Sequence, residues 1–140
     1  MEGAIYIIAP LLGWAVAQGI KFVLSLRQDG VTIYDAFQSG GMPSSHSAFM
    51  ISLSTVIGLN NGFSSAIFGL SIALSAIVMY DARGVRLATG QQTDVIRQLA
   101  KSAKININIT NARGHRVLEV VVGVAIGVVV GLVTDLVITS

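Results

Sequence analysis

The chain contains no cysteine, only two prolines and two histidines among 140 residues, and only 11% of its residues are charged. Without cysteine there is neither a disulfide framework nor a thiolate metal site. A soluble globular domain carries roughly 25% charged residues, so the ordinary water-facing surface is excluded. No GxGxxG or P-loop pattern occurs, which excludes the usual phosphate-cradling nucleotide loops. What the chain has instead is apolar: 53% hydrophobic residues and a mean hydropathy of +0.74. These values define an integral membrane protein, and the length suits one domain, residues 1–140.

Four apolar stretches predict an all-α, polytopic membrane helix bundle. They run from Ala4 to Leu24, Ser45 to Leu59, Phe63 to Tyr80 and Val117 to Ile138. A spanning helix needs about 20 apolar residues, with about 17 as the lower bound. The first and fourth stretches meet this easily; the middle two are short, and only Asn60-Asn61-Gly62 separates them. Their near absence of charge favours a transmembrane hairpin over two soluble core helices. No basic residue precedes the first apolar run, so it reads as a retained span rather than a signal peptide.

Charge sets the expected orientation. All nine Lys and Arg residues lie in two places: Lys21 and Arg27 near the end of the first stretch, and Arg83, Arg86, Arg97, Lys101, Lys104, Arg113 and Arg116 between the third and fourth. Four spans put both regions on one side, which the positive-inside rule makes the cytoplasm. Both termini are then expected on the opposite side. The net charge of +2 and pI ≈ 9.3 are thus topogenic, with a second use in holding anionic headgroups, and no nucleic-acid partner is expected. Within the basic region, Val95, Ile96, Leu99, Ala100 and Ala103 recur near helical spacing between Arg97, Lys101 and Lys104. A short amphipathic helix over Gln91–Lys104, lying on the cytoplasmic surface, is predicted. Ile105 to Thr110 alternates Ile with Asn and reads as loop or extended chain.

Chemistry concentrates where polar segments run into apolar ones. Pro43-Ser44-Ser45-His46 opens the second stretch after Gly40 and Gly41. Proline suits a first helical turn, serine caps it, and the free N–H groups of a helix start bind phosphate readily. The plainer reading is a Ser-capped helix start with an incidental histidine. Gly114-His115-Arg116-Val117-Leu118-Glu119 opens the fourth stretch. At helical spacing His115 and Glu119 share one face, where a carboxylate can orient an imidazole; a boundary ion pair is the alternative. Glu119 already lies inside the apolar run, and intramembrane acids are usually functional. Arg83 and Arg86 have the fork geometry that clamps phosphate oxygens, or are simple positive-inside flanks. Lys21 can snorkel to the same face. Gly123, Gly127 and Gly131 form a small-xxx-small stripe for close helix packing, either within the fold or in a homodimer.

Three segments, Gly-Gly-Met-Pro-Ser-Ser-His-Ser-Ala, Tyr-Asp-Ala-Arg-Gly-Val-Arg and Gly-His-Arg-Val-Leu-Glu-Val, together resemble the divergent PAP2 family. That family is related to type 2 phosphatidic acid phosphatases and vanadium haloperoxidases. PAP2 enzymes use Lys-x6-Arg-Pro, Pro-Ser-Gly-His and Ser-Arg-x5-His-x3-Asp motifs. Pro43 to His46 are similar to the second, with Ser45 in the glycine's place. His115 with Glu119 is similar to the end of the third, with Glu for Asp. Lys21-x5-Arg27 is one residue shorter than the first motif and lacks its proline, and Arg86 or Arg113 must stand in for the third-motif arginine.

The resemblance implies His115 as nucleophile, His46 as the acid that protonates the leaving oxygen, and a phosphohistidine intermediate. No metal or other cofactor is implied. Phosphate binding falls to Ser44, Ser45, Lys21, Arg83, Arg86 and Arg113. The expected function is a lipid phosphate or pyrophosphate phosphatase in a bacterial or organellar inner membrane, with its site facing the cytoplasm. Its expected partners are the lipid bilayer and a phosphorylated lipid substrate. The alternative is a non-catalytic anionic-lipid-binding or assembly protein on a PAP2-like scaffold, and a small transporter or channel subunit is a weaker third.

Overall fold

The computed structural model describes residues 2–26, 41–107 and 116–140. After a 3-10 turn at Glu2–Ala4, five helices follow: α1 Ile5–Ser25, α2 Ser45–Asn61, α3 Ala66–Arg83, α4 Val85–Ser102 and α5 Val117–Thr139. No strand occurs among the described residues. The all-helical expectation therefore holds.

Two of these helices, α1 and α5, are long and apolar enough to cross a membrane. The other two expected spans are shorter, with 17 residues in α2 and 18 in α3. At ~1.5 Å per residue each reaches roughly 26 or 27 Å, slightly less than a hydrocarbon core of about 30 Å. The lower hydropathy of α2 has a physical reason. It packs against α1, α3 and α5, so it faces protein on most sides and carries small polar residues where a lipid-facing helix would carry leucine.

Those polar residues are satisfied locally. Ser52, Ser54 and Thr55 donate to the carbonyls of Phe49, Met50 and Ile51 at 3.0, 3.0 and 2.8 Å, and Ser54 also meets Ser75 of α3 at 3.1 Å. The interior is correspondingly small and polar: Ser44, Ser45, Ser47, Ser52, Ser54, Ser71, Ser75 and Thr134 are all buried. Large apolar side chains such as Ile7, Leu11, Ile67, Ile77, Val129 and Leu136 point outward and are more than half exposed. Small residues between helices and large apolar ones outside are what a bilayer solvates and water does not.

The glycine stripe explains how α2 and α5 come so close. Gly123, Gly127 and Gly131 are all buried, and a methyl group on any of them would collide with α2. On Gly127 it would lie 2.8 Å from the Ala48 carbonyl oxygen and 2.8 Å from Ile51 Cβ; on Gly131 it would lie 2.6 Å from Thr55 Cβ. The stripe is therefore the seat of α2 within a single chain. Gly13 plays the same part on α1, facing Ser52 and Ala48.

These contacts fix the directions of the helices. Gly123 meets Ser44 and Ser47, and Gly131 meets Thr55, so α2 and α5 run parallel. Tyr6 donates to Asn61 at 2.8 Å while Gly13 lies at Ser52, so α1 runs antiparallel to α2. Both helix starts, of α2 and α5, therefore share one end of the bundle with the C-terminal half of α1. The opposite end gathers Tyr6, Asn60, Asn61 and Asp135, with Asn60 Nδ2 donating to Asp135 at 2.5 Å. A small apolar cluster of Ile5, Ala9 and Val56 sits beneath that end.

The amphipathic helix begins earlier than its sequence suggests, at Val85 rather than Gln91, and ends at Ser102 rather than Lys104. Its end is a Schellman turn. The Ile105 N–H donates to Ala100 O at 2.9 Å and the Lys104 N–H to Lys101 O at 3.2 Å. Lys104 takes φ +58° there, the left-handed region that costs a side-chain-bearing residue roughly 1–2 kcal/mol. Ile105 to Ile107 are non-helical, and Asn108 to Thr110 lie outside the described residues.

Candidate functional site

The site is built where α2 and α5 begin. Ser44 is the N-cap of α2, extended at φ −72°, ψ 110°. Its hydroxyl accepts from the Ser47 N–H at 3.4 Å and from the Ser47 hydroxyl at 3.0 Å. Its own N–H donates to the Glu119 carbonyl of α5 at 2.9 Å. Ser44 thus ties the two helix starts together and is fully buried, as are Pro43 and Ser47. Ser45, in the first helical turn, is 4% exposed, and first-turn N–H groups lack intrahelical partners. His46 follows on the exposed side of that turn.

Lys21 approaches the same place from α1. It is only 8% exposed, unusual for a lysine, and its charge interacts with that of Glu119. Gly41, at φ +84°, brings the chain before α2 within van der Waals reach of the lysine stem: a Cβ there would lie 4.0 Å from Lys21 Cδ. The left-handed backbone makes glycine the fitting residue.

Glu119 has a second task. Its carboxylate accepts the Arg116 N–H at 3.1 Å, and Arg116 is the N-cap of α5. This is the carboxylate half of a capping box; the reciprocal half needs a side-chain acceptor, which arginine lacks. So one residue caps α5 and receives α2 through its carbonyl, at the end of the bundle where Lys21 is buried.

Of the residues singled out in sequence, Lys21, Ser44, Ser45, His46 and Glu119 come together at one end. Arg83 closes α3 and Arg86 lies in the first turn of α4, on either side of Gly84. His115, Arg113 and Arg27 lie outside the described residues, and the expected pairing of His115 with Glu119 falls there too; α5 itself begins two residues later, at Val117. Sequence reasoning missed Ser47, whose hydroxyl completes the cap, and the signal for it was the second serine of Ser44-x-x-Ser47 spacing. It also missed the capping role of Glu119, legible as an acid three residues after the helix boundary.

Outward-facing large apolar residues around a small, polar interior define a helical membrane protein. The chain belongs to the divergent PAP2 family, which it matches over residues 3–130. Over 80 residues it is 41% identical to YuiD, an uncharacterized membrane protein of Bacillus subtilis. The alignment covers 57% of this chain and 49% of that protein, so the chain spans about half the length of that relative. No solved structure matches the chain.

Proposed function

We propose that the chain is a membrane-embedded lipid phosphate or pyrophosphate phosphatase with four spanning helices, α1, α2, α3 and α5, acting at the cytoplasmic face. The observation that carries this reading is the convergence of a nearly buried lysine, Lys21, with the capped start of α2 and the Glu119 turn of α5. A phosphate group is what such a set accommodates: one buried cation, first-turn N–H groups and a helix dipole all favour an anion. Arg83, Arg86 and Arg113 supply further cations for its oxygens.

In this mechanism a ring nitrogen of His115 attacks phosphorus while the bond to the lipid oxygen breaks. His46 gives its proton to that leaving oxygen, so the lipid departs as an alcohol or shorter phosphate. Water then attacks the phosphohistidine, His46 takes the water proton, and inorganic phosphate leaves with His115 restored. Lys21 and the α2 start hold the phosphoryl oxygens through both steps, where positioned charge stabilises the developing oxyanions.

The test is phosphate release by purified protein in detergent or nanodiscs, across phosphatidate, phosphatidylglycerophosphate and polyprenyl phosphates. Release should persist in chelator, fall with vanadate, and drop on the order of several hundredfold or more in His115→Ala and His46→Ala. Rates like those of the parent protein in both variants would rule the mechanism out. A second reading has its own support: Glu119 is engaged in capping α5, a structural task that a non-catalytic, anionic-lipid-binding scaffold would retain. That reading predicts lipid binding without turnover on every substrate.

A further inference from the structure

The basic helix α4 has an apolar face that none of the described residues covers. Val95, Ile96 and Leu99 are 55%, 47% and 64% exposed, while Thr93 and Ala100 turn inward and are buried. At about 100° per residue, Val95, Leu99 and Ile96 share an arc of about 100° with Gln92 and Ala103, and Asp94, Arg97, Gln98 and Lys101 occupy the opposite side. Arg97 pairs with Asp94 at 4.0 Å, and Lys101 and Lys104 stand exposed. The helix is also held close to the end of α3, since Gly84 alone separates them. A water-facing surface helix would not leave three large aliphatic side chains open.

We infer that α4 lies in the interfacial plane of the membrane, its Val95–Ile96–Leu99 face in the acyl boundary and Lys101 and Lys104 on anionic phospholipid headgroups. Two observations name a lipid rather than a protein as the occupant. Apolar and cationic residues border one another along the helix, the pattern of interfacial binding to anionic leaflets. The backbone at Lys104 adds to this: a lysine occupies the left-handed position of a Schellman turn, where glycine fits without strain, and the strain places a second ammonium one turn beyond Lys101. The helix therefore concentrates anionic lipid beside the end of the bundle that holds Lys21 and His46. The inference rests on the bundle being embedded in a bilayer and not on turnover.

Because the chain has no cysteine, single labels report cleanly. Full-length Leu99→Cys and Gln98→Cys proteins, each carrying an environment-sensitive fluorophore, are reconstituted in vesicles of phosphatidylcholine with or without phosphatidylglycerol. The Leu99 probe should be blue-shifted and quenched by nitroxide lipids, and the Gln98 probe quenched by aqueous iodide. Selectivity for spin-labelled phosphatidylglycerol over phosphatidylcholine should fall roughly fivefold for each of Lys101→Gln and Lys104→Gln, with circular dichroism unchanged. Iodide quenching at Leu99 would overturn the inference by showing the face in water. Shielding from both quenchers would overturn it in favour of a second copy or another protein. Unchanged lipid selectivity in the Lys101→Gln, Lys104→Gln double variant would refute the headgroup contact. None of these readouts depends on phosphatase activity, so their failure is distinguishable from failure of the catalytic reading.

Discussion

Replacing Gly127 with alanine drives a methyl group into the contact that holds α5 against α2. The new carbon would stand 2.8 Å from the Ala48 carbonyl oxygen, 2.8 Å from Ile51 Cβ and 3.0 Å from the Ser52 nitrogen. Two of those three atoms belong to helix backbone and cannot swing aside, so the helices must separate. Overpacking of this kind costs about 1–3 kcal/mol, and the better helix propensity of alanine returns at most ~1 kcal/mol. A net loss of up to about 2 kcal/mol follows, or a melting temperature lower by up to several degrees. Gly69→Ala is the matched control, because a Cβ there meets nothing within 4 Å; only the propensity gain applies, and stability should hold or rise. Thermal unfolding in detergent, followed by circular dichroism, compares the two. If Gly127→Ala melts at or above Gly69→Ala, α5 does not pack on α2 as described.

Lys21→Met keeps the length of the stem and removes the charge beside Glu119. Losing one charged contact of about 1.5–3 kcal/mol should weaken inorganic phosphate as a competitive inhibitor by roughly tenfold or more; an unchanged inhibition constant would remove Lys21 from the site. At the other end, Asn60→Ala loses the bond to Asp135 and should lower stability by about 1 kcal/mol while leaving phosphate binding intact. A loss of phosphate binding in that variant would mean the two ends are not separate.

Much of the bundle is legible from composition because lipid contact leaves long apolar runs. The helices α1 and α5 announce themselves in this way, with boundaries close to those observed. Where a helix faces protein the signal fades: α2 carries serines because it is the central helix, yet the stretch from Ser45 to Leu59 still ends only two residues short of the observed Asn61. The early start of α4 was hidden by Thr89 and Gly90, poor helix formers, although Ala88, Gln92, Val95 and Leu99 keep helical spacing. At the site, the sequence order placed Lys21, His46 and Glu119 at one end once antiparallel spans were assumed. The serine cap of α2 was legible, but not the bond from the Ser44 N–H to the Glu119 carbonyl, which depends on how closely glycine lets α5 approach.

The proposed mechanism requires a histidine of this chain to accept the phosphoryl group, and trapping that group is its sharpest check. Protein incubated with a phosphate-labelled lipid substrate, quenched in alkali and mapped by mass spectrometry should carry acid-labile phosphate on His115. The label should persist in Glu119→Gln and vanish in His115→Ala. Turnover without any phosphohistidine, or label that survives loss of His115, would overturn that mechanism.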